Sequence, residues 1–285
     1  MTTEPTAWEK LRLQAHYRFS KLPFSKYMWA RHMFDSESQR ELLYGLMLWT
    51  ELGGLALVVG SSGVGKSITL RRFVQELDES RHHVYALTYL PTTVYGFLRS
   101  LSRALGLPIR SHSADLFAAA QAHLVTHEQE RGARPILLID DGEGLTPEVF
   151  DVLRRLTCHD LDGDDRFSLV LSGTEELLRT LRHPGLDTLR SRVVFAQSLR
   201  PFGLEDTRNY MRFHLERADA DRKLFSDGAI KRIFQVSAGR PRNINQLATQ
   251  ALIQGVVRGR ELIDSKLLDA VITEHPLYHH IQEGD

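Results

Sequence analysis

The sequence predicts an α/β fold in which a parallel, helix-covered sheet is followed by a small all-helical domain. Before residue 202, short apolar runs that suit buried strands alternate with stretches of helical periodicity. Such alternation favours a parallel sheet, because parallel neighbours need crossover connections. Residues 202–278 show helical periodicity without a strand-like run, which indicates the change to all-helical structure.

The elements can be placed in order along the chain. A first helix is predicted over 36–50, where apolar residues recur at three- and four-residue spacing, and Gly53-Gly54 ends it. Strands are predicted over 55–59, 83–89, 135–139 and 167–171, with helices over 67–77, 95–105 and 114–130. Later helices are predicted over 204–218, 226–237, 242–257 and 264–273. The domains are then an N-terminal extension 1–35, a nucleotide-binding domain 36–201, a helical lid 202–278 and a tail 279–285.

Composition narrows the class of protein. The chain has 285 residues, 42% of them apolar, and 36 basic residues balance 36 acidic ones. No global basic field points to nucleic acid, so any such surface must be a local patch. The single cysteine, Cys158, cannot form an intramolecular disulfide, and no secretory or membrane-spanning run is present, so we expect a cytoplasmic protein. The His82-His83 and His279-His280 pairs lack further ligands at metal spacing.

A phosphate-binding loop follows the first predicted strand. It reads Gly60-Ser61-Ser62-Gly63-Val64-Gly65-Lys66-Ser67, and Ile68 continues into the next helix. Its glycines let backbone amides and the helix N-terminus point at phosphate oxygens. Lys66 is expected to contact the β and γ phosphates of ATP, and Ser67 to bind Mg²⁺. The strand before the loop and the helix after it are the context this motif requires.

Further site residues follow two later strands. Asp140 and Asp141 end an apolar strand, where ligands of open α/β folds bind. We expect Asp140 to hold Mg²⁺ through water, and Asp141 or the nearby Glu143 to position the attacking water. Ser172 or Thr174, at the end of the next strand, is a candidate to hydrogen-bond that water or the γ-phosphate.

Arginines complete the predicted site. Arg242, near the start of a lid helix, is placed to fold back onto the phosphates. Arg192, or alternatively Arg190, is expected to reach the γ-phosphate of a neighbouring subunit and stabilise transition-state charge there. The alternative for each arginine is an ordinary solvated or carboxylate-paired side chain.

Taken together, these segments resemble the AAA+ P-loop ATPases, specifically the ExeA/TnsC-like group to which TniB, MuB and IstB type proteins are related. The resemblance rests on the phosphate-binding loop, the Asp140-Asp141 strand end, the run Leu171-Ser172-Gly173-Thr174-Glu175-Glu176-Leu177 and the run Leu189-Arg190-Ser191-Arg192-Val193. It also rests on Phe19-Ser20-Lys21-Leu22-Pro23-Phe24 and Ser237-Ala238-Gly239-Arg240-Pro241-Arg242-Asn243-Ile244-Asn245. Asp141 departs from the group's usual glutamate and is one methylene shorter, so slow hydrolysis is expected.

The resemblance implies one of two roles. Transposition regulators of this group assemble head to tail on duplex DNA when ATP is bound, as a ring or helical filament, and recruit a transposase and a targeting protein. Secretion-associated members continue into a membrane span and a wall-binding domain, and because this chain stops at Asp285 without either, transposition is the expectation. Docking of partners is expected in residues 1–30 and in the tail from His275.

The resemblance also implies a DNA surface in the segment after the second strand. Thr92, Thr93, Arg99 and Arg103 are the candidate contacts. Hydroxyls and guanidinium groups bind phosphates without reading bases, so we expect little sequence preference and strong salt dependence. Arg99 and Arg103 also suit the solvated face of any amphipathic helix. Arg179 and Arg182 form a second candidate surface.

Two other functions fit a phosphate-binding loop. A metabolic phosphotransferase would share the loop, since the loop alone does not distinguish water from another phosphate acceptor. An ATP-gated adaptor that hardly hydrolyses ATP is compatible with Asp141. A phosphate-release assay separates the adaptor from an ATPase.

Overall fold

A computed structural model of the chain describes residues 13–25, 33–87, 89–157, 166–220 and 223–275. They fall into two compact units. The α/β unit contains the described residues of Glu37–Ser62 and Lys66–Arg200, and the helical unit contains those of Met1–Ser36, Gly63–Gly65 and Pro201–Asp285. Cys158, the His279-His280 pair and much of the predicted docking segments lie outside the described residues.

The α/β unit is built on a parallel sheet of five strands in its described residues. They are β1 (Leu55–Val59), β2 (His82–Leu87), β3 (Arg134–Ile139), β4 (Ser168–Gly173) and β5 (Val193–Ser198), in the order β2-β3-β4-β1-β5. Every pair of neighbours is parallel. Because both faces of the central strands are covered, β1 and β4 are buried along their whole length, as apolar runs of this length predict.

The edge strand β5 was not predicted from the sequence. Its residues alternate between half-buried and exposed, and Val194 is 51% exposed. A strand of this kind lacks the continuous apolar run by which the other strands were recognised. The predicted fold is otherwise confirmed for the sheet, with strand ends shifted by up to two residues.

Helices cover the sheet of the α/β unit. In chain order after α1 (Leu13–Tyr17), which belongs to the helical unit, they are α2 (Glu37–Leu52), α3 (Lys66–Glu76), α4 (Val94–Ala104), α5 (Ser113–Arg131), α6 (Pro147–Thr157), α7 (Glu175–Leu181) and α8 (Asp187–Arg190). The sequence did not predict α6, α7 or α8. Thr93 caps α4 by accepting a hydrogen bond from the Gly96 amide, and Gly132 ends α5 in the left-handed conformation.

The helical unit contains the four helices predicted after residue 202. They are α9 (Leu204–Arg217), α10 (Asp227–Ser237), α11 (Pro241–Val257) and α12 (Ser265–Glu274). Ser226 and Asp264 cap α10 and α12, and Pro241 occupies the first position of α11, where no amide hydrogen is needed. In the described parts of both units, no helix combines the length and apolar character needed to cross a membrane.

The described part of the predicted N-terminal extension packs into the core of the helical unit. Tyr17, Phe19 and Phe24 are each at most 5% exposed there. The Tyr17 hydroxyl donates to the carbonyls of Leu252 and Arg260 at 3.2 and 3.3 Å. The predicted N-terminal extension over 1–35 thus includes three aromatic side chains that are buried in the helical unit. The sequence of so short a segment does not reveal this burial.

A buried histidine holds the same segment. The Phe24 amide donates to His214 Nδ1 at 3.1 Å, and the Phe24 ring stacks on the imidazole. Burial, followed by the charge of Arg217, lowers the pKa of His214 to about 4, so the imidazole is neutral and Nδ1 can accept. Burial likewise raises the pKa of the neighbouring Tyr210 to about 12.

Three histidines and a tyrosine form a cluster on the face of β2 that α5 covers. The Tyr85 hydroxyl lies 3.1 Å from both His123 Nε2 and His127 Nδ1, and His83 stacks against His127 with ring centroids 5.3 Å apart. Burial is the main cause that lowers the pKa of His123 and His127, and Arg131 adds to it while Glu130 opposes it. The fold therefore favours the neutral form of both imidazoles.

Gly255→Ala should destabilise the helical unit. A Cβ at Gly255 would lie 2.1 Å from the Tyr17 hydroxyl oxygen and 2.7 Å from Ile263 Cδ1. Overpacking of this kind costs about 1–3 kcal/mol, more than the roughly 1 kcal/mol by which alanine improves a helix over glycine. We expect a lower urea midpoint, and a smaller loss when Gly255→Ala is made in a Tyr17→Phe background. Gly203→Ala, where a Cβ meets nothing, is the control; equal losses in both backgrounds would contradict the contact.

The histidine cluster should make stability depend on pH. Because the folded pKa values lie below the unfolded value of about 6.5, the unfolded chain binds more protons in mild acid, and stability falls as pH drops below that value. His127→Gln removes one such proton, so the free energy of unfolding should vary less with pH between about 7 and 5. The exposed His112→Gln serves as control. An unchanged pH profile in His127→Gln would rule out this source.

Candidate functional site

The glycine-rich loop connects β1 to α3. At its start, the Gly60 amide donates to the Gly173 carbonyl at the end of β4, at 3.1 Å. Gly63 and Gly65 have φ values of 79° and 116°, which side chains disfavour, so glycine is required where the loop turns back. Val64 is buried, which anchors the loop. This is the backbone course that presents successive amides to an anion.

The cationic side chain of the loop is already ordered. Lys66 is 6% exposed, and its ammonium donates to the Gly60 carbonyl at 2.7 Å. Ser67, in the first turn of α3, is exposed, Ile68 is half-buried, and Ser61 and Ser62 precede the turn. A buried ammonium beside exposed amides and a helix N-terminus fits a polyphosphate, since all three attract negative charge.

Two carboxylates follow β3. Asp140 is half-buried at the strand end, and its Oδ1 accepts the Asp141 amide at 3.0 Å. Asp141 is exposed and has a φ of 55°, which is uncommon for a residue other than glycine. Sparsely populated backbone conformations of this kind cluster at functional sites.

Glu143 reaches the neighbouring strand. Its Oε2 accepts the Thr174 amide at 3.2 Å, and a Cβ at Gly173 would lie 2.6 Å from the same oxygen. The close approach is possible because Gly173 has no side chain. The structure thereby brings the predicted residues Glu143 and Thr174 together, although they are 31 positions apart.

The two hydroxyls at the end of β4 differ in their surroundings. Ser172 is fully buried, and its Oγ has no hydrogen-bond partner within the described parts of the chain. Thr174 caps α7, with its hydroxyl oxygen accepting the Glu176 amide at 3.4 Å. Ser172 is therefore the hydroxyl that keeps its hydrogen-bonding capacity, because that of Thr174 is partly used by the helix cap.

The candidate trans arginines, Arg190 and Arg192, lie at the amino-terminal end of the strands, whereas the phosphate-binding loop lies at the carboxyl end. The Arg192 carbonyl accepts the amide of Leu55, the first residue of β1, at 3.1 Å. A strand of five residues separates that point from Gly60, roughly 16 Å at 3.3 Å per residue. Arg190 forms an ion pair with Asp187 at 2.5 Å, whereas Arg192 is half-buried.

Arg242 lies beside a glycine of the loop. Its amide donates to the Gly63 carbonyl at 3.2 Å, and a Cβ at Gly63 would lie 2.8 Å from Arg242 Cβ. The turn that leads into α11 depends on Gly239, where φ is 68° and a Cβ would come within 2.0 Å of the Phe202 carbonyl oxygen. Glycine is thus required there for both sterics and backbone conformation.

The residues predicted to bind DNA lie at the start and along one face of α4. Arg99 and Arg103 are exposed, while Phe97, Leu98 and Leu101 bury the other face of the helix. The Thr93 hydroxyl oxygen is used to cap the helix, at 3.1 Å from the Gly96 amide. The Thr92 carbonyl accepts the Thr146 hydroxyl at 3.2 Å.

Two further residues of this surface, Tyr95 and Arg110, were not predicted from the sequence. Tyr95 is 39% exposed, and its hydroxyl donates to the Arg110 carbonyl at 3.3 Å. One sequence signal would have found them: no Asp or Glu occurs between Glu79 and Asp115. We call the exposed side chains of Tyr95, Arg99, Arg103 and Arg110 the α4 surface.

The described part of the chain contains no cluster of side chains for a separate metal site. No group of three or more His, Cys, Asp or Glu side chains there is placed to hold an ion. This includes His83, which lies in the aromatic cluster of β2 and α5. Ser67 and Asp140 fit instead a Mg²⁺ ion whose other ligands are phosphate oxygens and water.

The chain has relatives among known proteins. Residues 50–181 match the family model described as AAA domain. General secretion pathway protein A from Aeromonas hydrophila is 30% identical over 254 residues, which cover 87% of this chain and 45% of that protein. The chain therefore spans about half the length of this curated relative.

Solved structures share the fold. Cdc6p from Pyrobaculum aerophilum matches with a TM-score of 0.67 at 19% identity, over 84% of this chain and 67% of that chain. The Aeropyrum pernix ORC1 protein in complex with DNA matches with a TM-score of 0.64 at 17% identity, over 87% and 68%. The Thermotoga maritima RuvB Holliday junction branch migration motor gives 0.53 at 18% identity, over 84% and 68%. The chain thus has the P-loop AAA+ fold, and residues 50–181 match the AAA domain model.

Proposed function

We propose that this chain is an ATP-dependent, DNA-binding AAA+ ATPase that assembles head to tail on duplex DNA, and that it regulates transposition. The proposed ATPase activity is supported by three segments that meet at the carboxyl end of the sheet. The phosphate-binding loop, the strand end at Asp140 and the strand end at Ser172 follow β1, β3 and β4, and β4 lies between the other two.

Each of these segments has a defined task in binding ATP. The loop amides and Lys66 hold the phosphates, with Lys66 exchanging the Gly60 carbonyl for phosphate oxygens. Ser67 and Asp140 hold Mg²⁺, which neutralises phosphate charge when it is bound. Arg242, beside Gly63, adds a guanidinium to the same phosphates.

Asp141 is the carboxylate that we assign to the attacking water. Glu143 is occupied by the Thr174 amide, so it positions the turn after β4, whereas Asp141 directly follows Asp140 at the strand end. Ser172, with its unpaired buried hydroxyl, is the second contact for the water or the γ-phosphate. Because aspartate is shorter than glutamate, hydrolysis is slow.

The proposed assembly is supported by the position of Arg192. A separation of roughly 16 Å from the loop of its own subunit argues against a contact with the phosphates held there, which supports a role for the guanidinium at the site of a neighbour. A head-to-tail contact of this kind is heterologous and generates a ring or an open helix. ATP bound between subunits would stabilise the assembly, and hydrolysis would release it.

The DNA contact is supported by the charges of the α4 surface. Some exposed arginines elsewhere in the described chain are paired with carboxylates, among them Arg179 of the second candidate surface, whereas others, such as Arg71 and Arg182, are not. In the described structure Arg99, Arg103 and Arg110 have no ion-pair partner. Glu148 and Asp151 line a cavity together with Val94 of α4, and Asp151 is bound by Arg154 and Arg155.

Two roles are possible for the ATPase, and they differ in the molecule on which it acts. The Pro-Phe and Gly-x-Pro-Arg-x-Ile-Asn runs support the ExeA/TnsC-like group, whose transposition regulators have a transposase and a targeting protein as partners. The relative named general secretion pathway protein A supports a secretion-associated ATPase as the second candidate. Cosedimentation with random-sequence duplex DNA, with and without a non-hydrolysable ATP analogue, separates them: ATP-dependent pelleting supports the first, and no association at any salt concentration supports the second.

Asp141→Asn should abolish most phosphate release while leaving ATP affinity intact. The amide keeps the size of the side chain but does not polarise water, and misplaced or unactivated water costs about a hundredfold or more. Glu143→Gln keeps an oxygen that accepts the Thr174 amide, so it should retain most activity. Steady-state phosphate release and fluorescent-nucleotide binding measure the two quantities.

Lys66→Ala is the control for the same assay, because it should lose binding as well as turnover. The reverse pattern, with activity lost in Glu143→Gln and kept in Asp141→Asn, would exchange the two assignments. Equal turnover in both variants and in the parent would contradict a role for either carboxylate.

Arg99→Ala combined with Arg103→Ala should weaken duplex binding and its salt dependence together. Removing two phosphate contacts should lower the slope of log K against log salt by about 1.8. A matched control is Arg208→Ala with Arg212→Ala, also four positions apart on a helix but paired with carboxylates. Fluorescence anisotropy over a salt series measures the slope, and an equal effect of the two double variants would contradict the assignment.

A further inference from the structure

The α4 surface carries an aromatic ring in line with its arginines. Tyr95, Arg99 and Arg103 are spaced four apart on a helix, so their side chains follow one another along one face. Tyr89, which is 72% exposed, precedes the helix. Exposed aromatic rings next to unpaired arginines are the combination found in proteins that bind single-stranded nucleic acids.

The Tyr95 ring is held in place before any ligand arrives. Its hydroxyl donates to the Arg110 carbonyl at 3.3 Å, which ties the ring to the segment after α4. The first turn of α4 is itself fixed, because Thr93 caps it and Pro91 packs against Gly96, where a Cβ would lie 2.7 Å from Pro91 Cβ. A ring whose edge is tethered loses little conformational freedom when a base stacks on its face.

We infer that the α4 surface binds an unpaired nucleotide, with Tyr95 stacking on the base and Arg99 and Arg103 holding the adjacent phosphates. The inference rests on the proposed DNA-binding function and specifies its ligand. In a duplex the faces of the bases are covered by their neighbours, so the ring adds nothing to contacts with the phosphate backbone. A single strand, or a duplex opened by bending or melting, exposes base faces that Tyr95 can reach.

Stacking by Tyr95 and charge from the arginines should contribute differently to the binding of single and double strands. The arginines bind phosphates in single and double strands alike, so their loss weakens both. The ring contributes only where a base is unpaired, and base–aromatic stacking is worth about 1–3 kcal/mol, or roughly 5- to 150-fold in affinity. A purely electrostatic surface would show no such difference between the two ligands.

The test compares a 20-nucleotide oligothymidine with a random duplex of equal length, using fluorescence anisotropy with a non-hydrolysable ATP analogue at fixed salt. Tyr95→Ala should weaken single-strand binding about tenfold and leave duplex binding unchanged. Tyr95→Phe keeps the ring and should retain most of the single-strand affinity. Tyr44→Ala, which removes a tyrosine from α2 that is even more exposed, at 67% against 39% for Tyr95, should change neither.

Three outcomes overturn the inference. Unchanged single-strand affinity in Tyr95→Ala would exclude stacking, and an equal loss for both ligands would make Tyr95 a structural residue of α4. Binding of duplex but not oligothymidine by the parent chain would reject the inference and leave the proposed function intact. Binding of neither would reject the proposed function itself.

Discussion

The close approach of backbone and side chains at Gly173 is the constraint on which the nucleotide site depends. At this one position, the Gly173 carbonyl receives the first amide of the phosphate-binding loop, and Glu143 and Leu177 lie where a Cβ would stand. Any side chain there would displace at least one of the three. The end of β4 therefore fixes the loop after β1 and the turn after β3 relative to each other, because β4 is the strand between them.

Much of the fold could be predicted because its signals are local. A buried parallel strand is a continuous apolar run, and a glycine-rich loop between a strand and a helix is a motif with a fixed context. Strand β5 was not predicted because it lies at an edge of the sheet. Its exposed residues, such as Val194 and Ala196, alternate with half-buried ones. The burial of Tyr17 in the helical unit escaped because its partners, Leu252 and Arg260, are more than 230 positions away.

The sequence predicts which residues form the candidate site better than it predicts the role of each residue. Residue types at motif spacing identify Asp141, Glu143, Ser172 and Thr174, but only their contacts separate them. Thr174 acts as a helix cap and Glu143 accepts its amide, whereas the buried Ser172 hydroxyl has no hydrogen-bond partner in the described chain. Likewise, the spacing of Arg190 and Arg192 does not tell them apart, and the ion pair of Arg190 with Asp187 is a contact that the sequence alone does not reveal.

The α4 surface shows why net charge is a poor guide to partners. The chain is formally neutral, yet the segment between Glu79 and Asp115 contains arginines and histidines without a single carboxylate. Acidic residues more than a Debye length away, about 10 Å at 0.1 M salt, do not cancel the field of this patch, whereas Glu148 and Asp151, which share a cavity with Val94 of α4, reduce it. A ligand therefore experiences the three unpaired arginines of the α4 surface as a local positive field. Local absence of carboxylates, rather than an excess of basic residues over the whole chain, is the property that makes this surface suited to a polyanion.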